Sequence, residues 1–483
     1  MIIKPPIYTG VKTFISKQRI LFNTPGHNGK VILNSKNFCK LDAASTFETD
    51  KPDNPTGYIL DSERQLAKLY RSVHSYYITN GTSCGLMSMI GTVLNHGDKI
   101  IIDRLCHKSV IDAVVNGGLV PVFIDREYNE KWGFHGGINP YTLEELVSIN
   151  SNAKAIIITA VTHYGIVSDM LSIAQIARKH NMYLLADESQ GAHFPFSESF
   201  PQSSLDCGAD MVLHNAGETL GSMSGGALLH VNNPAINLDR ARQTIYTYQS
   251  PEASNAFLCA LENSIYYVNG ASKKYIPLIK EIERCRDMVN DGTDIQWYFK
   301  DDKGEYCIYD NDVSKIVLNF AKIGIRGTEA AAILREKYGI EPELAEKDNV
   351  VLVASIFNSP HDIRKLTGAV MSMYKSFLKK HIEPYNPAPY TNNLTENVTT
   401  VNIPLKVRYC DSNMVPPSQV HDNICKQMIY SQSTYIPLII PGERITERHM
   451  QSLDAIIEDG GTICGVTSDN LFEVVEKAHE YSL

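Results

Sequence analysis

Several short stretches carry side chains that could do chemistry, and most follow an apolar run. Asn80-Gly81-Thr82-Ser83-Cys84-Gly85 sets two hydroxyls and two glycines between a strand pattern and a helix pattern. Glycine lets the backbone approach an anion, a helix start offers free N–H groups and a positive dipole end, and hydroxyls add donors. The same residues also read as an ordinary capped turn. Asp187 ends the apolar run Met182–Ala186. A carboxylate there can pair with a protonated ring nitrogen of a ligand, or simply cap the next turn. His107, in Leu105-Cys106-His107-Lys108-Ser109-Val110, offers a flat imidazole that can stack on a ring, although a lone histidine is more often structural. His27, in Pro25-Gly26-His27-Asn28-Gly29, reads as part of an exposed loop, and Lys108 as a solvated surface lysine. From Gly208 to Gly226 an apolar run ends at Leu213, and a polar, glycine-containing turn follows with Glu218 at its centre.

The elements that must position these residues alternate. Strand patterns cover Ser75–Thr79, Lys99–Asp103, Val120–Ile124, Ala155–Ala160, Tyr183–Asp187 and Met211–Leu213. Helix patterns cover Ser62–Ser72, Leu86–Leu94, Lys108–Asn116, Leu143–Ile149 and Leu171–His180. This alternation predicts an α/β fold with a mostly parallel sheet and helices on both faces. Continuous apolar strands such as Ala-Ile-Ile-Ile-Thr-Ala fit burial on both sides. Ligands of such sheets sit beyond the carboxyl ends of the strands, so Thr82, His107, Thr162, Asp187 and His214 are expected around one crevice. The second half differs. Helices are predicted for Pro251–Val268, Ser272–Val289 and Glu447–Glu458. Segments Lys315–Phe320, Thr328–Glu336, Asn349–Ala354 and Pro360–Lys379 mix strand and helix patterns, and Thr462–Val466 reads as a strand. A Pro-, Asn- and Thr-rich stretch, His381–Thr400, is the predicted linker.

Composition narrows the function. A chain of 483 residues is too long for one compact domain, so two or three are expected. The net charge of −9 is dispersed and no basic stripe is present, which argues against nucleic-acid binding. No apolar run approaches the roughly 18 residues that span a bilayer, and the N-terminus does not read as a signal peptide. Ten scattered cysteines, without Cys-x-x-Cys pairs or metal-ligand spacing, predict a reducing cytoplasm, free thiols and no metal site.

In order and spacing, Pro25-Gly26-His27, Asn80-Gly81-Thr82-Ser83, Cys106-His107-Lys108-Ser109-Val110, Thr162-His163-Tyr164-Gly165 and Asp187-Glu188-x-x-Gly191-Ala192-His193 form a series. Gly208-Ala209-Asp210, Thr219-Leu220 and Pro437-Leu438-Ile439-Ile440-Pro441-Gly442-Glu443 continue it. The series resembles the Orn/Lys/Arg decarboxylases, a family of the aspartate-aminotransferase-like, fold-type I pyridoxal-phosphate (PLP) class, from about Phe22 to Gly465. The resemblance implies an N-terminal segment (1–50), a PLP-type large domain (51–255), a small αβ domain (256–380), the linker (381–400) and a C-terminal α+β domain (401–483). It implies a homodimer or larger homo-oligomer with sites at subunit interfaces. Gly81, Thr82 and Ser83 would hold the cofactor phosphate, His107 would stack on the ring, and Asp187 would pair with the ring nitrogen.

The chain departs from the family at the reacting positions. The family's Ser-x-His-Lys-Thr-Leu reads Asn215-Ala216-Gly217-Glu218-Thr219-Leu220 here. Glu218 stands where the family's lysine forms a Schiff base with PLP, and a carboxylate supplies no amine. It would also add negative charge to a pocket built for a phosphate. No lysine lies between His180 and Lys273, so register slippage provides none. Ser189-Gln190 replace an Ala-His pair, Gln427 replaces a glutamate, and Gln432-Ser433-Thr434-Tyr435 lacks the family's Pro-Pro-Gly. The leading expectation is a degenerate homologue, with Glu218, His107 and Asp187 at the former reaction centre. It would act as a regulatory or scaffolding subunit, alone or in a hetero-oligomer with an active paralogue. Two alternatives stand beside it. One is an atypical PLP-dependent decarboxylase of arginine, lysine or ornithine in polyamine metabolism. The other is a non-covalent binder of pyridoxal phosphate, pyridoxamine phosphate or another phosphate ligand, through Thr82, Ser83, His107 and Asp187; Ser189 and Asn215 are further candidate cofactor contacts. The cofactor would be PLP held non-covalently, or none.

Overall fold

The structure is a computed structural model that describes residues 13–28, 30, 38–42, 49–300, 302–378 and 404–476. The expected linker lies outside the described residues. Seven strands form the main sheet: β1 (His74–Ile78), β2 (Lys99–Asp103), β3 (Val120–Ile124), β4 (Ala153–Thr159), β5 (Tyr183–Asp187), β6 (Met211–Asn215) and β7 (Ala227–Val231). Their order is β1-β7-β6-β5-β4-β2-β3, parallel except for β7, which runs antiparallel to both neighbours. The expected α/β architecture is therefore present.

Strand geometry explains the continuous apolar runs. Successive side chains face opposite sides. Ile101, Ile156, Ile158, Leu184, Ala186 and Val212 enter one core, while Ile100, Ile102, Ala155, Ile157, Leu185 and Leu213 enter the other. The first core meets α1 (Tyr58–Tyr70) through Leu66 and Tyr70. The second meets α2 (Gly81–Val93) and α3 (Lys108–Gly117) through Leu86, Met89, Val110 and Val114. The helix α2 begins five residues before its apolar pattern, because Gly81-Thr82-Ser83-Cys84-Gly85 forms its opening turn rather than a loop. Thr82 and Ser83 are thus first-turn residues. A short helix, α4 (Ala216–Thr219), follows β6 directly.

Two long helices, α5 (Asn255–Ala271) and α6 (Tyr275–Gly292), lead to a four-stranded antiparallel sheet. Its strands are β8 (Gln296–Tyr298), β9 (Lys315–Asn319), β10 (Leu344–Glu346) and β11 (Asn349–Val353), in the order β8-β9-β11-β10. Helix α7 (Pro360–Leu378) packs along α6. The C-terminal part carries a three-stranded sheet and α8 (Glu447–Glu458). The strand expected over Thr462–Val466 shrinks to Ile463–Cys464.

This last part joins the main-sheet core through Met428 and Ile440, and a buried cation ties the two together. Arg104, just after β2, donates to the carbonyls of Pro437 (2.8 Å) and Leu438 (3.0 Å) and lies 3.5 Å from the Glu443 carboxylate. Both side chains are fully buried. Burial pushes the Glu443 carboxyl up and Arg104 opposes that. Removing one partner of such a pair leaves an uncompensated buried charge. Arg104→Ala is expected to cost about 3–5 kcal/mol, read as a lower urea midpoint. Tyr141→Ser, at a position 85% exposed, should leave the midpoint unchanged.

Candidate functional site

The carboxyl edge of the main sheet gathers the site. Thr159 pairs with Asp187 and Leu213 pairs with Asp187, so the ends of β4, β5 and β6 lie side by side. A cavity of about 590 Å³ opens beyond them. Its wall includes Thr82, His107, Thr162, Asp187, Ser189, Asn215 and Glu218, as the sequence led us to expect. Gly81 and Ser83 stand behind that wall, with the Ser109 hydroxyl donating to the Ser83 hydroxyl at 2.8 Å. His214 does not belong to it. Its Nε2 meets Glu188 at 2.8 Å and its Nδ1 meets His230 at 3.1 Å, in the core. It lies within β6, one residue short of the end, and alternation turns it to the other side.

His107 caps α3, its Nδ1 accepting from the Ser109 N–H at 3.2 Å. Burial, then His163 and Lys108, lower its pKa from 6.5 to about 4, so the ring is neutral. The Tyr435 ring lies 5.5 Å away, tilted by 40°. Lys108 turns outward to Asp112 at 2.6 Å, as a half-buried lysine rather than a fully solvated one. Asp187 accepts from the Ser189 hydroxyl (2.5 Å) and N–H (3.1 Å). Burial pushes its carboxyl up, the Ser189 bonds oppose this, and Asp103 and Glu218 add to the rise.

Glu218 is held on both oxygens. Asn215, whose Oδ1 caps α4, donates from Nδ2 to Glu218 Oε2 at 3.2 Å. Lys315 Nζ lies 3.3 Å from Oε1. Lys315 is the residue that the sequence reading missed. It opens β9, its side chain is fully buried, and it also donates to Gln190 Oε1. The signal was a single lysine at the head of the apolar run Ile-Val-Leu, 97 residues from its partner. Its ammonium offsets the Glu218 carboxylate in part, while Glu218 still raises the Asp187 and Glu343 carboxyls. Glu343, Glu346, Arg126 and Thr159 were missed as well, and all four line the cavity. Thr24 donates to Glu343 from its N–H (2.7 Å) and hydroxyl (3.3 Å). Tyr164 (2.9 Å) and Ser433 (2.8 Å) donate to Glu346.

Two clamps fix α4 against these elements. The turn at Pro25-Gly26 lies on its backbone: Gly26 N–H donates to the Gly217 carbonyl at 3.0 Å, and a Cβ on Gly26 would stand 2.3 Å from the Glu218 carbonyl oxygen. His27, next in the chain, is half-buried instead of belonging to an exposed loop, and burial lowers its pKa. On the other side His193 bridges Thr219 (3.0 Å) and Asp312 (3.2 Å), and Asp312 also accepts from the Ser314 hydroxyl (2.8 Å). Burial alone would raise the Asp312 carboxyl, but His193 and Lys315 hold it below its ordinary value.

The residues present fit a phosphorylated pyridine ring. No side chain caps α2, because Asn80 gives its amide to the Tyr248 carbonyl (2.9 Å) instead, and Thr82 stands in the wall at that helix start. Thr159 Oγ1, beside Asp187 in the wall, is buried without a partner. The lysine in the wall is Lys347, in the turn after β10, where it acts on Asp348 and Asp459. Among the described residues, no group of three or more His, Cys, Asp and Glu could hold a metal ion, and no helix is long and apolar enough to cross a membrane.

Known proteins resemble this chain in sequence and in fold. A family model described as the Orn/Lys/Arg decarboxylase major domain matches residues 5–305. The chain is 25% identical over 480 residues to the arginine decarboxylase of Bacillus subtilis (strain 168), covering 96% of each. The lysine decarboxylase of Francisella novicida matches its fold with a TM-score of 0.77 at 16% identity, over 92% of this chain and 75% of that one. The constitutive lysine decarboxylase of Escherichia coli does so with a TM-score of 0.73 at 17% identity, over 98% and 82%.

His107 makes the site sensitive to acid. Its folded pKa lies below the ordinary 6.5, so between pH 6.5 and about 4 the unfolded chain takes up a proton that the folded chain refuses. Stability is therefore expected to fall as pH drops through that window. His107→Phe should make the loss shallower, measured as the difference in urea midpoint between pH 7 and pH 5.

Proposed function

The chain belongs to the Orn/Lys/Arg decarboxylase family, and from that premise we propose that it keeps the cofactor pocket without the family's lysine-based decarboxylation. One observation carries the reading. Glu218, which stands at the lysine position by resemblance to the family's motif, has its oxygens engaged by Lys315 and Asn215. A carboxylate has no amine lone pair to offer a carbonyl carbon.

In this reading the pocket holds pyridoxal phosphate non-covalently. The uncapped start of α2, with Thr82 and Ser83, takes the phosphate. Neutral His107 lies against the ring, and Asp187 keeps a proton on the ring nitrogen by charge and hydrogen bonding. Ser189 fixes the orientation of the Asp187 carboxylate, while Thr434 and Tyr435 cover the wall and restrict water. The bound cofactor supplies an electron-withdrawing ring and an aldehyde. The protein serves as a regulatory or scaffolding subunit in the cytoplasm, in a homodimer, a larger homo-oligomer or a hetero-oligomer with an active paralogue.

A second reading, an arginine, lysine or ornithine decarboxylase with altered chemistry, is favoured by the amine of Lys315 directly behind Glu218. Product formation separates the two. Purified protein with pyridoxal phosphate and each of the three amino acids is expected to release no agmatine, cadaverine or putrescine above a protein-free control. Product that disappears in Asp187→Ala would overturn the first reading in favour of the second.

A further inference from the structure

Lys315 is the one described lysine whose amine reaches the Glu218 wall. Its Nζ contacts Glu218 Oε1 at 3.3 Å and also Gln190 Oε1, and both of those side chains face the cavity. The amine is thus a single layer of side chains away from the space beside Asp187. Its stem is guided there. Gly165 turns over it with φ +80°, and a Cβ on Gly165 would stand 2.9 Å from Lys315 Cβ and 3.1 Å from Cγ. The Asp312 N–H donates to the Gly165 carbonyl (2.8 Å), and Lys315 N–H donates back to the Asp312 carbonyl (3.1 Å). Three carboxylates surround the ammonium. Glu218 is in contact with it, while Glu343 and Asp312 are held lower by its charge than they would be without it. Carboxylates around an ammonium favour its charged form, so the Lys315 amine becomes nucleophilic only when a neighbour takes its proton, and Glu218 is the acceptor in contact with it.

We propose that Lys315 is the covalent attachment point for a carbonyl ligand of this pocket, with Glu218 as its base. The proposal rests on the pocket of the cofactor-binding reading and goes beyond its non-covalent hold by adding one covalent bond; the carbonyl tested is the aldehyde of pyridoxal phosphate. Gln190 rotates aside and Glu218 accepts one proton from the ammonium. The freed lone pair forms a C–N bond with the aldehyde carbon while the C=O π pair moves to oxygen. A second proton passes from nitrogen to that oxygen. The proton held on Glu218 then completes a water molecule, which leaves as the C–O bond breaks. A protonated C=N bond remains on Lys315. Nothing is oxidised or reduced, and Glu218 ends as it began.

The assignment differs from the alternative amine in the same cavity. Lys347 lies in the same wall and acts on Asp348 and Asp459. Borohydride trapping decides between them. The full chain is mixed with pyridoxal phosphate, desalted, treated with borohydride, digested and mapped by mass spectrometry, with retained cofactor measured by absorbance before reduction. The expected result is a phosphopyridoxyl group on the Lys315 peptide. Lys315→Arg keeps the charge opposite Glu218 and should lose that group while still retaining cofactor. Glu218→Gln should slow its formation by about a hundredfold, the worth of a positioned base. Cofactor retained without an adduct, or an adduct on Lys347 or elsewhere with Lys315 unmodified, overturns the assignment and leaves the pocket reading standing. No retained cofactor overturns both.

Discussion

A buried carboxylate has to be answered by a cation or by hydrogen bonds, and Glu218 is answered by both. Desolvating a charge costs several kcal/mol, so an acid at the floor of this cavity is tolerated only because Lys315 and Asn215 reach it. That requirement ties distant parts of the chain together. Lys315 must come from β9, Asn215 must cap α4 at the end of β6, and the Pro25-Gly26 turn must lie against the α4 backbone. The Asp312–His193–Thr219 bridge repeats the connection through a second set of atoms. The pocket floor is held from three sides, and each side depends on the same four-residue helix.

The scaffold and the reacting positions use charge differently. Asp103 and Arg126 form a fully buried pair at 2.6 Å, with Arg126 also donating to the Gly136 carbonyl at 3.0 Å. Arg104 and Glu443 do the same work between the main sheet and the C-terminal part. In both pairs backbone carbonyls also accept from the guanidinium, two from Arg104 and two from Arg126, which makes a rigid joint. Lys315 lacks that fork geometry. Its single ammonium is shared between two side chains, Gln190 and Glu218, and neither is backbone. The scaffold pairs also anchor on backbone, whereas the pocket pair ties side chain to side chain.

Most of the main sheet was legible because its strands are short, nearly continuous apolar runs. Lys99–Asp103, Val120–Ile124 and Tyr183–Asp187 lie where the pattern sets them. The start of α2 was harder to read, since Gly81 and Gly85 look like a loop and only the backbone shows them helical. His214 was misplaced for a simpler reason: position near a strand end says nothing about which side of the strand a residue faces. Lys315 was illegible as a site residue because its meaning is not local. A lysine at the head of an apolar strand looks like an edge or a boundary, and only the fold brings it to Glu218. The family's motifs mark what sits at the carboxyl ends of strands in the first half of the chain; Lys315 enters from the second half.

The cavity floor has a consequence for the order in which the molecule is made. Gly26, Glu218, Lys315 and Ser355 meet there, and the Ser355 hydroxyl donates to the Gly26 carbonyl across 329 positions of sequence. During synthesis from the N-terminus, the first seven-stranded layer can condense while β9 is still inside the ribosome. Glu218 is then an acid without its ammonium, kept in water until residue 315 and its neighbours emerge. Loop-closure entropy makes contacts of such long separation slow to form. The core on one side of the main sheet also takes in Ile316, Leu318, Val350 and Leu352, so that side of the sheet and the pocket floor are completed together, once the second half of the chain arrives.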